Sequence, residues 1–309
     1  MASRIFVTGA IRSGTTFVGR ALSTSKNSIY IHEPFSPDSP WSAAISTPIK
    51  NFYIGNHNQG VYNHRMTGLL DLTPRIPGKW QEQVRLDRQN YIKDALPVGV
   101  DPEQMNVIVK DPIGIFCTEW LVNSFKLKPV IVVRDPRDVI KSIFRLSWQK
   151  NLFNNWIKIQ PELHSRLLEM EEILGMKGNV TIEKKDGDLL NVISFLKPIY
   201  LALLHFTKIS GYHMVCYERL TENSAIEFNR LFQSVGMVMD KQFEKSLNKN
   251  NNNFDQGKAH QDTTGPVNAE RIRSLHQAEE MNVQVDERII VDAFEELKSG
   301  FENKVDWWV

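Results

Sequence analysis

Cysteine is scarce in this sequence: the 309-residue chain holds two, Cys117 and Cys216. They form no Cys-x-x-Cys pair and no Cys/His cluster, which argues against a disulfide framework and against a structural zinc site. Packing is the expected role of both. An excess of charge of either sign is also lacking. The 37 Lys plus Arg are balanced by 36 Asp plus Glu, for a net charge of +1. The chain therefore has no general attraction for nucleic acid or for a membrane surface, and any anion must be held by local groups. No secretory leader is evident, because a strand-like run, Arg4-Ile5-Phe6-Val7, begins almost at once. Nor is there a clean membrane span. The longest apolar stretch, Leu189 to Phe206, is interrupted by Asn191, Lys197, Pro198 and His205, whereas a bilayer needs ~20 mostly apolar residues. It predicts a buried helix kinked at Pro198. The expectation is a cytoplasmic protein with no integral membrane segment and no nucleic-acid partner.

What the sequence does have is alternation. Five short apolar runs, Arg4–Thr8, Ser28–Ile31, Asn106–Val109, Pro129–Val133 and His213–Tyr217, are rich in β-branched and aromatic residues, and helical patterns separate most of them. This predicts an α/β fold with a parallel central sheet of about five strands and helices on both faces. Each run ends in polar or special residues: Gly9, His32-Glu33, Lys110-Asp111, Arg134-Asp135 and Glu218-Arg219. Ligands of open α/β sheets sit beyond the carboxyl ends of the strands, so these residues are candidates to meet at one site. The reading is of one domain, 1–309, with two additions. An insertion at about 34–104, rich in proline and aromatics such as Trp41, Phe52, Tyr53, Tyr62, Trp80 and Tyr91, serves either as a cap facing the acceptor or as a structural subdomain. A polar segment at about 248–266, with four asparagines in a row and with Lys258 and His260, is expected to be a mobile loop. Helices are expected from about Asn268 and over Asp286 to Gly300.

The strongest local signal is Gly9-Ala10-Ile11-Arg12-Ser13-Gly14-Thr15-Thr16, which follows a strand and opens a helix over Phe17 to Leu22. Glycines let backbone N–H groups converge on one point, and the helix N-terminus adds partial positive charge. The spacing matches the Walker pattern except that Thr15 stands where the lysine belongs. That lysine normally pairs the β- and γ-phosphates, and the residue after it holds magnesium. Here the cation is Arg12. A metal-independent use of the loop is therefore favoured over a magnesium-dependent NTPase. The second signal is Arg134-Asp135-Pro136-Arg137-Asp138, with Ser142 eight residues after Arg134. An arginine and a hydroxyl so placed can clamp a phosphate; equally, Arg134 can be a strand-end arginine paired with a surface carboxylate.

Together the two motifs resemble the sulfotransferase family, whose donor is 3′-phosphoadenosine-5′-phosphosulfate (PAPS). Arg12-Ser13-Gly14-Thr15-Thr16 looks like that family's 5′-phosphosulfate loop, and Arg134 with Ser142 looks like its 3′-phosphate motif. Weaker likeness lies in His32-Glu33-Pro34-Phe35, Lys110-Asp111-Pro112 and Tyr217-Glu218-Arg219-Leu220, and the whole is nearer the carbohydrate and bacterial branches. A Gly- and Arg-rich C-terminal donor motif is not found. The resemblance implies a P-loop NTPase-like three-layer α/β/α fold. It implies transfer of a sulfuryl group from PAPS to a hydroxyl of a carbohydrate or small molecule, with release of 3′,5′-ADP and no metal. Glu33 would be the base, expected near the phosphate loop because its strand should lie beside the first. His32 is the weaker alternative base. Arg12 and Lys110 would stabilise charge on the transferring group. Ser13, Gly14, Thr15 and Thr16 would hold the 5′ end of the donor, and Arg134 and Ser142 its 3′-phosphate. The rival readings are an ATP-dependent kinase with a degenerate loop and a nucleotide-binding module without chemistry.

Overall fold

The computed structural model describes residues 2–37, 42–72, 104–152, 155–181, 183–248, 285–301 and 304–307. Five strands form one sheet: β1 (Arg4–Gly9), β2 (Ser28–His32), β3 (Asn106–Lys110), β4 (Lys128–Val133) and β5 (His213–Cys216). Their order is β2-β3-β1-β4-β5 and every pairing is parallel. All five predicted runs are strands, within a residue at each end. The alternation of side chains along them accounts for the layers. Ile5, Val7, Ile108, Val130 and Val132 face one side. Phe6, Val107, Val109, Ile131 and Val133 face the other. A run that is apolar on both faces must be covered on both, which is why these strands are parallel and central.

On the first face pack α1 (Thr15–Leu22) and, from further along the chain, the helix Ser224–Val235, through Phe17, Val18, Leu22, Phe228 and Phe232. The other face is covered in two parts. Helix α2 (Gln59–Leu70) and helix α3 (Thr118–Phe125) cover β1–β3 through Tyr62, Met66, Leu69 and Trp120. Helices α4 (Pro136–Arg145), α5 (Pro161–Leu174), α6 (Asp188–Thr207) and α7 (Glu287–Phe301) cover β4. The result is a three-layer α/β/α sandwich. Helix α6 carries Pro198 within it. Among the described residues it is the one helix long and apolar enough to cross a membrane, and 83% of that stretch is buried inside the fold.

One expectation is corrected. Strand β2 is not beside β1: β3 lies between them, with Lys110 in register with His32 on one side and with Val7 on the other. The hydrophobic patterns of β2 and β3 are alike, so nothing in them fixes which takes the inner place. Of the long insertion, the described part packs as core: Phe52 and Tyr62 rings meet at 5.7 Å, and Tyr62, Leu69 and Leu70 are buried. Trp41, Trp80 and Tyr91, the 248–266 segment beyond its first residue, and the helix expected from Asn268 lie outside the described residues.

Candidate active site

Strand β1 ends at Gly9, and its position there is steric. A Cβ on Gly9 would lie 2.3 Å from the Val132 carbonyl oxygen on β4. The chain then turns through Arg12 (φ 66°) and Gly14 (φ 90°), and Gly14 caps α1. Gly14 lies against the ring of Tyr217, which a Cβ would meet at 2.4 Å. Both glycines are thus required by close approach, and Gly14 by its backbone as well. Ser13 is fully buried beneath the loop, and its Oγ has no hydrogen-bond partner among the described residues. A buried hydroxyl without a partner is costly, and such a group calls for an explanation. The first N–H groups of α1 have no acceptor within the helix, as at any helix start. Thr15 is buried and Thr16 half-buried at that start.

The second predicted motif comes to the same place. Asp135 caps α4 by accepting from Arg137 N at 2.8 Å, with Pro136 in the first helical position. This holds Arg134 at the strand end, where it is buried. Its Nη1 donates to the Arg12 carbonyl oxygen at 3.1 Å, and its guanidinium lies over the Tyr217 ring, 4.4 Å from the centroid. Arg134 Nη2 also lies 3.7 Å from the half-exposed Asp138 carboxylate, so the surface pairing foreseen for it exists alongside the loop contact. Ser142 accepts from Arg12 Nε at 3.0 Å. The structure therefore brings Arg12, Ser13, Arg134 and Ser142 together, but Ser142 is bonded to Arg12 rather than paired with Arg134. The exposed Arg12 head also lies over the Trp148 ring, 5.6 Å from the centroid.

Three residues support the segment that carries Arg134. Tyr200 on α6 donates its hydroxyl to the Arg134 carbonyl at 2.6 Å, and Glu218 accepts from Asp135 N at 2.8 Å. The third is Tyr217. Tyr217 and Glu218 stood within a noted block, so their position after β5 was readable. Tyr200 sits in a long apolar helix and offered nothing to distinguish it. The Glu218 carboxyl is pushed up by burial, against the hydrogen bond it accepts from Asp135, and it also accepts from Cys216 Sγ at 3.1 Å. Both cysteines are buried and free, as their expected packing role requires.

The third group is built from the ends of β2 and β3. Lys110 is 1% exposed, and its ammonium meets Glu33 Oε1 at 2.5 Å. Its stem passes under α1 at Gly19, where a Cβ would lie 3.2 Å from Lys110 Cβ. Burial draws the Lys110 ammonium down against the pull of Glu33. Burial would raise the Glu33 carboxyl, but the charge and hydrogen bond of Lys110, with smaller help from His32 and Lys50, outweigh it and hold the group below the usual carboxylate value. His32 Nε2 is 3.7 Å from the same carboxylate oxygen, and Nδ1 is 3.1 Å from the Tyr30 hydroxyl.

Burial, and next the charge of Lys110, bring His32 down to about 3. The ring is thus neutral at neutral pH, beside a Glu33 carboxyl that is itself held low. The depressed histidine makes a prediction. A histidine depressed in the folded state contributes stability above its unfolded value near 6.5 that is lost as the pH falls toward 3. Denaturant melts of the wild type and His32→Gln across that range should show the variant losing less stability on acidification. Asp111, raised to about 7 by burial and then by the charge of Glu33, acts in the opposite sense, since its contribution fades as pH rises through that value. The comparison with the variant isolates the histidine.

Fold and site together define a three-layer α/β/α protein in which the glycine-containing loop after β1 meets the arginine at the end of β4. No protein-family model matches the chain, and no curated protein matches it in sequence. Among solved structures it is similar to the sulfotransferase domain of the Synechococcus PCC 7002 olefin synthase, with 13% identity over 97% of this chain and 94% of that one and a TM-score of 0.45. It is similar also to the sulfotransferase domain of the curacin biosynthetic pathway, with 14% identity, 99% of each chain and a TM-score of 0.44. A sulfotransferase from Alicyclobacillus acidocaldarius gives 12% identity, 97% and 95% coverage and a TM-score of 0.41.

Proposed function

We propose that this protein is a sulfotransferase that moves a sulfuryl group from PAPS to the hydroxyl of a carbohydrate or small molecule. The observation that carries the reading is the meeting of Arg12 with Ser142 and Arg134, residues more than 120 positions apart, around a buried Ser13 hydroxyl that lacks a partner. Two separate anion-binding motifs in contact suit a ligand with phosphate groups at two ends. On this reading the backbone N–H groups from Gly14 to Thr16, with the hydroxyls of Ser13, Thr15 and Thr16, hold the 5′ end, and Arg134 with Ser142 holds the 3′-phosphate. When bound, the donor supplies the sulfuryl group and departs as 3′,5′-ADP.

The residues of the chain do the rest. Glu33, ionised at neutral pH, takes the proton of the acceptor hydroxyl. Lys110, held against it, and Arg12, exposed beside the loop, offset negative charge that spreads over the transferring group. Thr15 in the lysine position of the Walker pattern favours this over a magnesium-dependent kinase. The setting is cytoplasmic, in keeping with two buried thiols that form no disulfide.

The test is a thermal and calorimetric titration with 3′,5′-ADP, ADP and ATP, with and without magnesium. At one hundred times its Kd a ligand stabilises the fold by ~2.7 kcal/mol, a shift of a few degrees in a chain of this size. Binding of 3′,5′-ADP alone, indifferent to magnesium, is the expected result. Magnesium-dependent binding of ATP without 3′,5′-ADP would replace this reading with the kinase. Tight 3′,5′-ADP binding with no transfer to any acceptor would make it a binding module.

A further inference from the structure

Glu33 stands in an unusual backbone conformation. Its φ is 50°, in the left-handed region that non-glycine residues rarely occupy. Something must hold it there, and its own contacts are few. Its N–H donates to the Lys110 carbonyl at 2.7 Å, and its carbonyl accepts from Ser36 N at 3.1 Å, closing a turn over Glu33-Pro34-Phe35-Ser36. Pro34 has no N–H to contribute. The remaining donor of the turn, Phe35 N, is bonded at 2.7 Å to Asp111 Oδ2.

Asp111 is fully buried, next in sequence to Lys110, and its own placement is over-determined. Its N–H donates to the Val7 carbonyl at 3.0 Å, and its carbonyl accepts from Thr8 Oγ1 at 2.9 Å, which fixes its backbone to β1. Its Oδ1 accepts from Ile113 N at 2.8 Å and from Gly114 N at 3.1 Å. The same loop forms the floor of Phe35: a Cβ on Gly114 would lie 2.6 Å from that ring, which also packs edge-on to Phe6 and Trp120. A buried carboxylate with three backbone donors is a large commitment of polar groups. It joins the end of β1, the end of β3 and the turn that carries Glu33.

We propose that Asp111 is a positioning residue for Glu33: by accepting from Phe35 N it holds the 33–36 turn in its left-handed form and so keeps the Glu33 carboxylate against Lys110. The role rests on the sulfotransferase reading for its catalytic meaning, but the positioning itself does not. Asp111→Asn removes it selectively. Asparagine has a single side-chain oxygen, which serves the two donors Ile113 N and Gly114 N, and its amide then faces Phe35 N donor to donor. The 111–114 loop and the packing of Phe35 are kept, so the fold survives while the turn is released.

Two measurements decide the matter. In turnover with PAPS and the best acceptor from a panel of sugars and small alcohols, Asp111→Asn should lose ~10–100-fold in kcat, the scale of a misplaced catalytic group. The Kd for 3′,5′-ADP should stay at the wild-type value. Added to Glu33→Gln, the change should cost no more than ~2-fold further, because both act through one carboxylate. A parallel loss of 3′,5′-ADP affinity, or a full multiplicative loss in the double variant, overturns the proposal. The second measurement needs no donor or acceptor. In protein labelled with carbon-13 at glutamate carboxyls, the Glu33 signal is assigned by its absence in Glu33→Gln. Its titration midpoint should rise in Asp111→Asn toward the ordinary glutamate value, since contact with Lys110 loosens. Loss of the Asp111 charge alone would leave the midpoint unmoved or lower it, and either of those results sinks the positioning role. If 3′,5′-ADP fails to bind the wild type, the donor reading falls, and the carboxyl titration still judges the proposal.

Discussion

Glu33→Gln is expected to reduce turnover by ~10²-fold or more while 3′,5′-ADP binds as to the wild type. The separation follows from where the residue stands. Glu33 is carried by the turn after β2, and its side-chain partners are Lys110 and His32. The groups assigned to the donor lie on the loop after β1, at the start of α1, at the end of β4 and on α4. Glutamine keeps the shape and can still accept from Lys110, but it cannot take a proton. It also leaves a buried ammonium without its counter-charge, so a lower melting temperature is expected as well. Stability and binding must therefore be measured beside rate. Release of 3′,5′-ADP from PAPS in the presence of acceptor reports the rate, and calorimetry reports binding. Turnover within a few-fold of the wild type would remove Glu33 from the role of base.

Arg134→Ala should weaken 3′,5′-ADP much more than it weakens 5′-AMP. A hydrogen bond to a charged group is worth ~1.5–3 kcal/mol, so a loss of roughly 10- to 100-fold is expected for the bisphosphate. The geometry makes the comparison of the two nucleotides informative. Arg134 also donates to the Arg12 carbonyl within the loop, and its guanidinium covers Tyr217. Removing it must disturb the loop to some degree, and that part of the loss falls on both ligands. Only a contact with the 3′-phosphate adds a penalty confined to 3′,5′-ADP. Equal losses for the two, measured by calorimetry at one ionic strength, would mean that Arg134 acts only as a brace for the loop.

Much of this architecture was legible in the sequence, for identifiable reasons. Strands β1 to β5 are short, apolar on both faces and bounded by polar residues, and such runs have few alternatives to strands of a parallel sheet covered on both faces. The loop from Gly9 to Thr16 was legible because its glycines answer a steric need that no other residue meets. The inner place of β3 was not, because strand order depends on which pairings the crossovers permit, and Ile29 to Ile31 would pack beside β1 as well as Val107 to Val109 do. The bond between Arg12 and Ser142 was hidden for a related reason: each residue carried a role of its own, and nothing in the spacing says that they touch. Tyr200 and Asp111 are harder still. Each works through a single backbone group of a remote segment, and the amino-acid pattern leaves no mark of that.

The sheet order also bears on how the chain reaches this state. Strand β1 emerges first in synthesis but is the middle strand, and it has neither of its neighbours until β3 and β4 exist, about 100 residues later. The bond from Arg12 to Ser142 spans 130 residues and the pair of Glu33 and Lys110 spans 77. Contacts of such separation require long loops to close, which slows folding. The growing chain therefore exposes an apolar β1 with two open edges for a long interval, a period in which helper proteins that cover strand edges would matter most. The site itself comes into being only with the complete sheet, so its assembly reports completion of the fold.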